Sequence, residues 1–501
     1  MLRILLFLVV VFGASCCFVI RTRQKDTIPG PLLARITTYY RVWLLIAGDA
    51  PSKYASLHKR FGPVVRTGPN HVSISDSKYI PIAYDAKHVF RKGRFYDVFR
   101  PLYRGKPMDT VFTTSDPALN KSLKRSLVTH MLSRPQLYAK EVDESVDMFI
   151  QQMQAMEGES IDISSWPFYW AFDMTYTLVF GGSFGFMANR CDFNGMVHSF
   201  KTILRSTAVL GQVPQWCPTT LANDRFMTWC RSFSSFPDPT IKLLNAGSSP
   251  NTLRRVSEHT LNAHDCGQSL LCRVLANRTL NEDSPEYLEV VNVLFEGYLA
   301  AAGEVAVSLT SIIYSLLGDP RVMQTLAQSI RSKDMKVTPY LFVHAQLRSA
   351  ELSNVLPSTA VIKESLRMHT SNSPPMERVV PHGGLAVNEH LLPEGTVVGI
   401  PQYVAHRDQN VYGLDADDFR PERWLEADES ALRAMEQNFM TFGKGCRGCV
   451  GRELAMMEMR AFVMKVLDVY DIEWASETVR PRVANYWMME YFDFYVRFKP
   501  R

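Results

Sequence analysis

The sequence predicts one large, mainly α-helical domain with a smaller β region, carried behind an N-terminal transmembrane anchor helix. Three observations predict it. An apolar run without a charge fills residues 4–20. Most of the middle of the chain has helical character, including a very apolar stretch at residues 287–317, about eight turns long. Strand signals are confined to a hairpin near the start and an aromatic tail. Length alone, 501 residues at about 150 per domain, gives a prior of about three domains. No Gly- or Ser-rich linker follows residue 31 and no long-period repeat is visible, so one large domain is the better reading.

Composition narrows the class. Hydrophobic residues at 46% and charged residues at 21% exclude a disordered or collagen-like chain. A net charge of 55 − 50 = +5 is mild for this length and gives no case for a nucleic-acid partner. Nine cysteines are too sparse for a disulfide scaffold, and an odd count cannot pair fully. Twenty-eight Phe and 22 Met imply a large apolar interior, which would suit a roomy hydrophobic ligand.

Taken in order, residues 1–24 are the anchor with its basic flank. Seventeen apolar residues are at the lower limit for a bilayer span. The rival is a cleaved secretory signal beginning at Arg3. A run longer than a usual signal core, with Arg21, Arg23 and Lys25 after it, favours a retained anchor with the bulk of the chain cytosolic. Residues 25–35 read as a hinge, because Pro29 and Pro31 around Gly30 stiffen the chain and block a helix. Residues 36–501 are then the globular domain. In a cytosolic setting Asn120-Lys121-Ser122 and Asn277-Arg278-Thr279 are chance glycosylation matches. Val64–Thr67 and Val72–Ile74 flank a Gly68-Pro69-Asn70 turn and predict a hairpin. Helices are expected at 149–156, 168–179 and 287–317, the last stopped by Gly318 and Pro320. The tail at 485–498 reads as strand.

The chemistry concentrates in Phe442-Gly443-Lys444-Gly445-Cys446-Arg447-Gly448-Cys449-Val450-Gly451. Glycines beside a cysteine allow a tight turn in which backbone N–H groups approach sulfur. A helical pattern follows at 453–467, so Cys449 precedes a helix N-terminus, where the dipole stabilises a thiolate; Arg447 adds a positive charge. Three readings compete. Cys446 and Cys449 form a C-x-x-C redox pair or half a zinc site, but no second C-x-x-C exists in the chain. Cys449 is an inert cysteine. Or it is a haem thiolate ligand.

The spacing Phe442-x-x-Gly445-x-Arg447-x-Cys449-x-Gly451 resembles the haem-binding signature of the cytochrome P-450 superfamily. Five such positions match by chance on the order of once in ten thousand chains of this length. Two further motifs follow the family's order. Glu364-Ser365-Leu366-Arg367 resembles its E-x-x-R helix, where i, i+3 residues share a face. Phe419-Arg420-Pro421-Glu422-Arg423-Trp424 resembles its aromatic-x-P-E-R-[FW] segment. Glu477-Thr478-Val479-Arg480 also fits E-x-x-R but lies after the cysteine. His406-Arg407-Asp408 is family-like as well. The whole chain looks like a microsomal, fungal-type member.

That resemblance implies a cytochrome P-450-like fold and makes 36–501 a haem-thiolate catalytic domain. It implies Cys449 as metal ligand, donating electron density that favours O–O cleavage. Arg447, Arg378 and Arg125 would pair with haem propionates, and Phe442 and Gly451 would shape the ligand loop. Glu364, Arg367 and Arg423 would form a buried structural cluster. Haem b, electrons from NADPH through a reductase, O2 and a hydrophobic small molecule would take part. The expected activity is hydroxylation, demethylation or epoxidation in fungal specialised-metabolite biosynthesis, at the endoplasmic reticulum membrane with a cytosolic catalytic domain. Substrate contacts are expected from residues 100–111, 295–304, 371–379 and 487–489.

The chain departs from the family twice. Lys121 stands where W-x-x-x-R has tryptophan, so the match ending at Arg125 is partial. The family's acid–threonine pair on the long helix reads Glu304-Val305, after the small residues Ala301, Ala302 and Gly303. Glu304 keeps the catalytic acid, and the hydroxyl is lost. Either substrate or water replaces it, or Ser308 contributes, or the haem site serves a rearrangement, dehydration or coupling that needs less proton delivery. A non-catalytic haem- or lipid-binding membrane protein is the reading from another class.

Overall fold

The hairpin forms as the turn chemistry requires. Val64–Gly68 pairs antiparallel with His71–Ile74, Val64 opposite Ile74 and Val65 opposite Ser73, with an irregularity between Arg66 and Gly68. The structure, a computed structural model, describes residues 27–219, 269, 270, 273, 285–331 and 356–501, except 86, 88, 104, 105 and 373. The expected anchor at 4–20, its basic flank and Asn277 lie outside the described residues.

The hairpin is one edge of a five-stranded sheet. Val397–Gly399 adds parallel to His71–Ile74, then Arg378–Val379 and Arg91–Lys92 add antiparallel. The turn residue Asn70 fixes this register: its carbonyl accepts from Val397 N at 2.9 Å and its amide donates to Gly395 O at 2.7 Å. The Pro-Gly-Pro segment lies against the same sheet. Pro29 O accepts from Arg66 N at 2.8 Å, and Ile28 is buried. A side chain on Gly30 would meet Arg66 O at 2.6 Å, so only glycine allows this approach.

Helices supply the rest. The sequence places helices at 149–156 and 168–179, and they are found as Ala139–Gln154 and Trp166–Phe180. The second is apolar all round, which is the signature of a buried helix, and ends at Gly181 with φ 83°. The long apolar stretch is interrupted. It runs as Pro285–Phe295, one π-helical turn at Glu296–Ala300, then Ala301–Gly318. A π turn leaves one residue too many per turn and commonly marks a functional site. Ala301–Gly318, hereafter the central helix, packs against Trp166–Phe180, Pro357–Met368 and Arg452–Val469. It is long and apolar enough to cross a bilayer, but 78% of it is buried inside the protein, so here it is the core.

The tail also differs from expectation. It is not one strand. Met489–Phe492 pairs with Arg482–Asn485, and Tyr495–Pro500 pairs with Tyr470–Trp474 and Ile161–Asp162. Asp493, at φ 58°, breaks the extended run, and the fully buried Phe494 pivots the chain between the two sheets. Asn120 is 1% exposed and donates to Val111 O at 3.0 Å, so the first glycosylation-like triplet is closed to modification.

One core carboxyl carries a stability consequence. Glu458, on the helix after the cysteine, is 1% exposed, and burial pushes its pKa up to about 8. The folded chain therefore holds a proton that the unfolded chain releases between the ordinary glutamate range and about 8, and stability falls as pH rises through that window. Glu458→Gln is expected to raise stability by on the order of 2 kcal/mol at pH 7. The gain should vanish near pH 4, where both states are protonated. Thermal unfolding of the two proteins at both pH values checks this.

Candidate active site

The cysteine loop is held open by glycines and closed by backbone bonds. Gly443 and Gly445 adopt φ 65° and 61°. A Cβ on Gly445 would collide with the carbonyl oxygens of Tyr84 and Asp85, so glycine meets two demands there at once. Next to it Cys446 N donates to Asp85 O at 3.1 Å. Cys449 N donates to Phe442 O at 2.7 Å and Gly448 N to Gly445 O at 3.1 Å. The Cys449 side chain stays accessible, and Gly451 leads directly into the helix Arg452–Val469. The sulfur thus stands at the positive end of an 18-residue helix, which favours the thiolate.

A lysine that the sequence did not single out reinforces this. Lys124 Nζ donates to Cys446 O at 2.6 Å and Gly448 O at 2.9 Å. Burial pulls its pKa down, while the two cysteine sulfurs oppose that pull. Arg125, the expected propionate partner, is exposed, and its side chain makes no hydrogen bond among the described residues. The residue that grips the loop is therefore its neighbour.

Arg447 donates to Thr114 O at 3.1 Å and Ser115 O at 3.2 Å. Arg378 is 3% exposed, donates to Tyr96 Oη at 3.2 Å and Glu377 O at 2.8 Å, and lies 4.9 Å over the Tyr84 ring. The two guanidiniums feel each other. Burial is the main cause that lowers Arg447, and the positive charge of Arg378 lowers it further. Neither makes an ion pair with a carboxylate among the described residues. A buried cation without a counter-ion is costly. The buried Arg378 and the half-buried Arg447, close to the cysteine loop, fit a flat ligand carrying two carboxylates, as haem does.

The three-residue cluster expected from the sequence is assembled and fully bonded. Glu364 accepts from Arg367 at 2.8 and 2.9 Å, from Arg423 Nε at 2.8 Å, from Trp424 Nε1 at 2.9 Å and from Arg420 N at 3.0 Å. Arg367 also donates to the carbonyls of His406 and Ala416 at 2.6 and 2.5 Å. His406 carries the connection onward. Its Nε2 accepts from Met440 N at 2.8 Å, so Nδ1 holds the proton and donates to Arg367 O at 3.2 Å. Burial and Arg367 push its pKa down to about 3, so it is neutral. Thr441 Oγ1 donates to Leu366 O at 3.2 Å. The cluster thereby fixes the residues that enter the cysteine loop. Phe442 packs on Phe439 and under Arg452, 5.6 Å from its guanidinium.

On the central helix Ala302 and Gly303 are buried. A Cβ at Gly303 would overlap the Phe200 ring and lie 3.2 Å from Met488 Cε, so the glycine lets both side chains reach the helix backbone. This brings Gly303 against Met488, so two of the stretches expected to touch substrate pack on each other. Trp487 packs on Phe95, Phe99 and Phe112 with ring centroids 5.5, 4.8 and 5.9 Å away, forming an aromatic wall. Glu304 is half-buried, with its carboxyl turned away from solvent. Burial pushes its pKa up to about 7, and the Ser371 hydroxyl opposes the rise. Ser308 donates its proton to Glu304 O at 2.7 Å, inside the helix. Its hydroxyl proton is committed to the backbone, which weakens it as a substitute for the missing threonine.

The chain presents an accessible cysteine at a helix N-terminus, with Arg447 in the same loop and aromatic side chains packed around Trp487. It belongs to the cytochrome P450 family: a family model described as Cytochrome P450 matches residues 31–489. Among curated relatives, cytochrome P450 monooxygenase mpaDE' of Penicillium brevicompactum is 32% identical over 90% of this chain and 52% of its own length. Cytochrome P450 monooxygenase asR2 of Sarocladium schorii is 28% identical over 95% of this chain and 92% of its own. Cytochrome P450 monooxygenase pkfB of Emericella nidulans is 28% identical over 96% and 92%. The chain spans about half the length of the first curated relatives it matches and nearly all of the others.

Proposed function

We propose that this protein is a haem-thiolate monooxygenase that oxidises a hydrophobic small molecule in fungal specialised metabolism, by hydroxylation, demethylation or epoxidation. The presentation of Cys449 carries the reading: an accessible sulfur on a glycine turn at a helix N-terminus, clamped by Lys124 and locked to a buried ionic cluster. Haem, when bound, supplies the redox centre at which O2 is activated with electrons from NADPH through a reductase. The protein supplies the rest. Cys449 ligates through its thiolate, held anionic by the helix dipole and Lys124. Arg378, Arg447 and Arg125 hold the two propionates. Trp487, Phe95, Phe99 and Phe112 exclude water and present apolar surface to the substrate. Glu304, poised near neutrality, gives and takes protons at its carboxyl.

A location at the endoplasmic reticulum membrane, catalytic domain cytosolic, is supported by apolar side chains just after the basic flank. Leu32, Leu33, Trp43 and Ile46 are each more than half exposed, and Trp216 Nε1 donates to Tyr39 Oη at 3.1 Å beside them. Val305 favours a second reading, the same haem site used without oxygenation. Heavy-isotope O2 with NADPH and a fungal reductase separates the two. The expected product carries one labelled oxygen, with O2 uptake matching it. A product formed without O2 uptake, and turnover indifferent to Val305→Thr, would replace oxygenation with rearrangement. A haem that reductase and NADPH cannot reduce would point to a non-catalytic binding protein.

A further inference from the structure

The short strand Arg91–Lys92 places a cation where sheet pairing disfavours one. Lys92 stands directly opposite Arg378 across the antiparallel ladder, so the two side chains leave the same face of the sheet. Like charges in that relation destabilise a sheet. Both residues are nonetheless buried, and both turn to one ring. Arg378 donates to Tyr96 Oη at 3.2 Å, and the Lys92 ammonium lies 4.4 Å over the centre of the Tyr96 ring.

A third cation reaches the same place. Lys92 Nζ donates to Phe112 O and lies 4.8 Å over the Phe112 ring. Arg447, from the cysteine loop, donates to Thr114 O at 3.1 Å and Ser115 O at 3.2 Å. Lys92 and Arg447 thus hold residues 112–115 from the two ends of that segment. The carboxylates that border these residues in the chain are engaged elsewhere. Glu377 accepts from Arg41, Asp97 lies 3.5 Å from both Arg94 and Arg100, and Asp116 accepts from Ala118 N at 2.8 Å. Arg125 is exposed, and an exposed charge is screened by water.

We propose that Lys92 is a further cofactor-binding residue, a cation that stands with Arg378 and Arg447 at the anionic end of the haem. The proposal rests on the haem-thiolate reading. Two carboxylates taken out of water require cations held close by, and such pairing strengthens as water is excluded. The aromatic rings keep these cations in place while the site is being filled. Lys92 rests on Tyr96 and Phe112, and Arg378 lies 4.9 Å over Tyr84. A carbonyl and two ring faces orient the ammonium without neutralising it. Tyr96, 1% exposed, ties Lys92 to Arg378, and the segment 112–115 ties Lys92 to Arg447. The three charges therefore form one cradle, built from a strand opposite Arg378, from Arg378 itself and from the loop that carries Cys449.

The test separates a charge contact with the propionates from support of the fold, and it needs no substrate. The full chain is made by cell-free synthesis with either haem or haem dimethyl ester, whose propionates carry no charge. Release of the cofactor to excess apomyoglobin is timed by absorbance, and the reduction midpoint of the bound haem is measured by spectroelectrochemical titration. Lys92→Gln keeps an N–H donor for Phe112 O and removes the charge. It is expected to release haem severalfold faster than wild type and to move the midpoint to more negative potential, because a positive charge favours the reduced form. On the dimethyl ester the two proteins should release at the same rate. Lys92→Arg should retain wild-type release of haem. If Lys92→Gln does not fold, Lys92→Met, matched in length, takes its place with the same expectations. Equal acceleration with haem and with the ester, or no acceleration with haem, in a folded variant overturns the role of Lys92 and leaves the haem-thiolate reading standing. Folded wild-type protein that takes up no haem overturns that reading and this inference with it.

Discussion

Cys449→Ala is expected to yield a folded protein that has lost the strongly red-shifted Soret band of the reduced carbon monoxide complex, and with it all measurable oxygenation. The fold should survive because the loop is closed by main-chain atoms. The bond from Cys449 N to Phe442 O, the bonds from Lys124 to two carbonyls, and the Gly445 contact all remain without the sulfur. The spectral loss should be complete because the red shift requires an anionic sulfur on iron. Cys446→Ala is the internal control and should keep the band, since Cys446 contributes to the loop through its backbone. The comparison decides among the alternatives. A band without the red shift in the wild type would mean another proximal ligand. Folded wild-type protein that takes up no haem would return Cys446 and Cys449 to the redox or metal-pair reading.

Glu364→Gln should be more damaging to the fold than any surface change. Glu364 is 0% exposed, and its two oxygens take five donors, three of them from two buried guanidiniums. Removing the charge leaves Arg367 buried with no carboxylate partner and Arg423 with Asp415 alone, at a cost of about 3–5 kcal/mol. The loss travels along Arg367, His406 and Met440 into the cysteine loop, so retained haem should fall together with the thermal midpoint. Glu144→Gln breaks the exposed pair with Lys140, 3.6 Å apart, and should change neither quantity, since such pairs are worth about 0–1 kcal/mol. Equal behaviour of the two variants would show that the cluster is not what holds the loop. Soluble yield, haem per chain and thermal unfolding of both proteins make the measurement.

The site was legible in the sequence where its function depends on local spacing. The glycine turn around Cys449 and the i, i+3 pair Glu364–Arg367 carry their geometry within one turn or one loop. The hairpin at 64–74 and the stop at Gly318 follow from glycine and proline in the same way. What was not legible lies in rotations and distant meetings. Lys124 and Arg125 differ by one position, about 100° of helix, and spacing within one motif does not say which faces the loop. Tyr96, which accepts from Arg378, comes from 282 residues away. The π turn at Glu296–Ala300 interrupts a stretch whose apolar pattern reads as one continuous helix. In the tail, uniform aromatic content concealed the reversal at Asp493, where a single backbone angle redirects the chain.

The grip on the cysteine loop has a kinetic consequence. Lys124 is 322 residues from Cys446, and Arg447 is 333 from Thr114. Closing loops of that length must precede any reward from the contacts they make, so these bonds form late in folding. A nascent chain still short of residue 442 has its sheet and most of its helices but no thiolate cradle. The last step of maturation is then a search by the final 60 residues for surfaces already in place. A ligand that binds only the finished cradle would draw that step forward by mass action. Recombinant yield should accordingly depend on cofactor supply during synthesis more than on cofactor added afterwards.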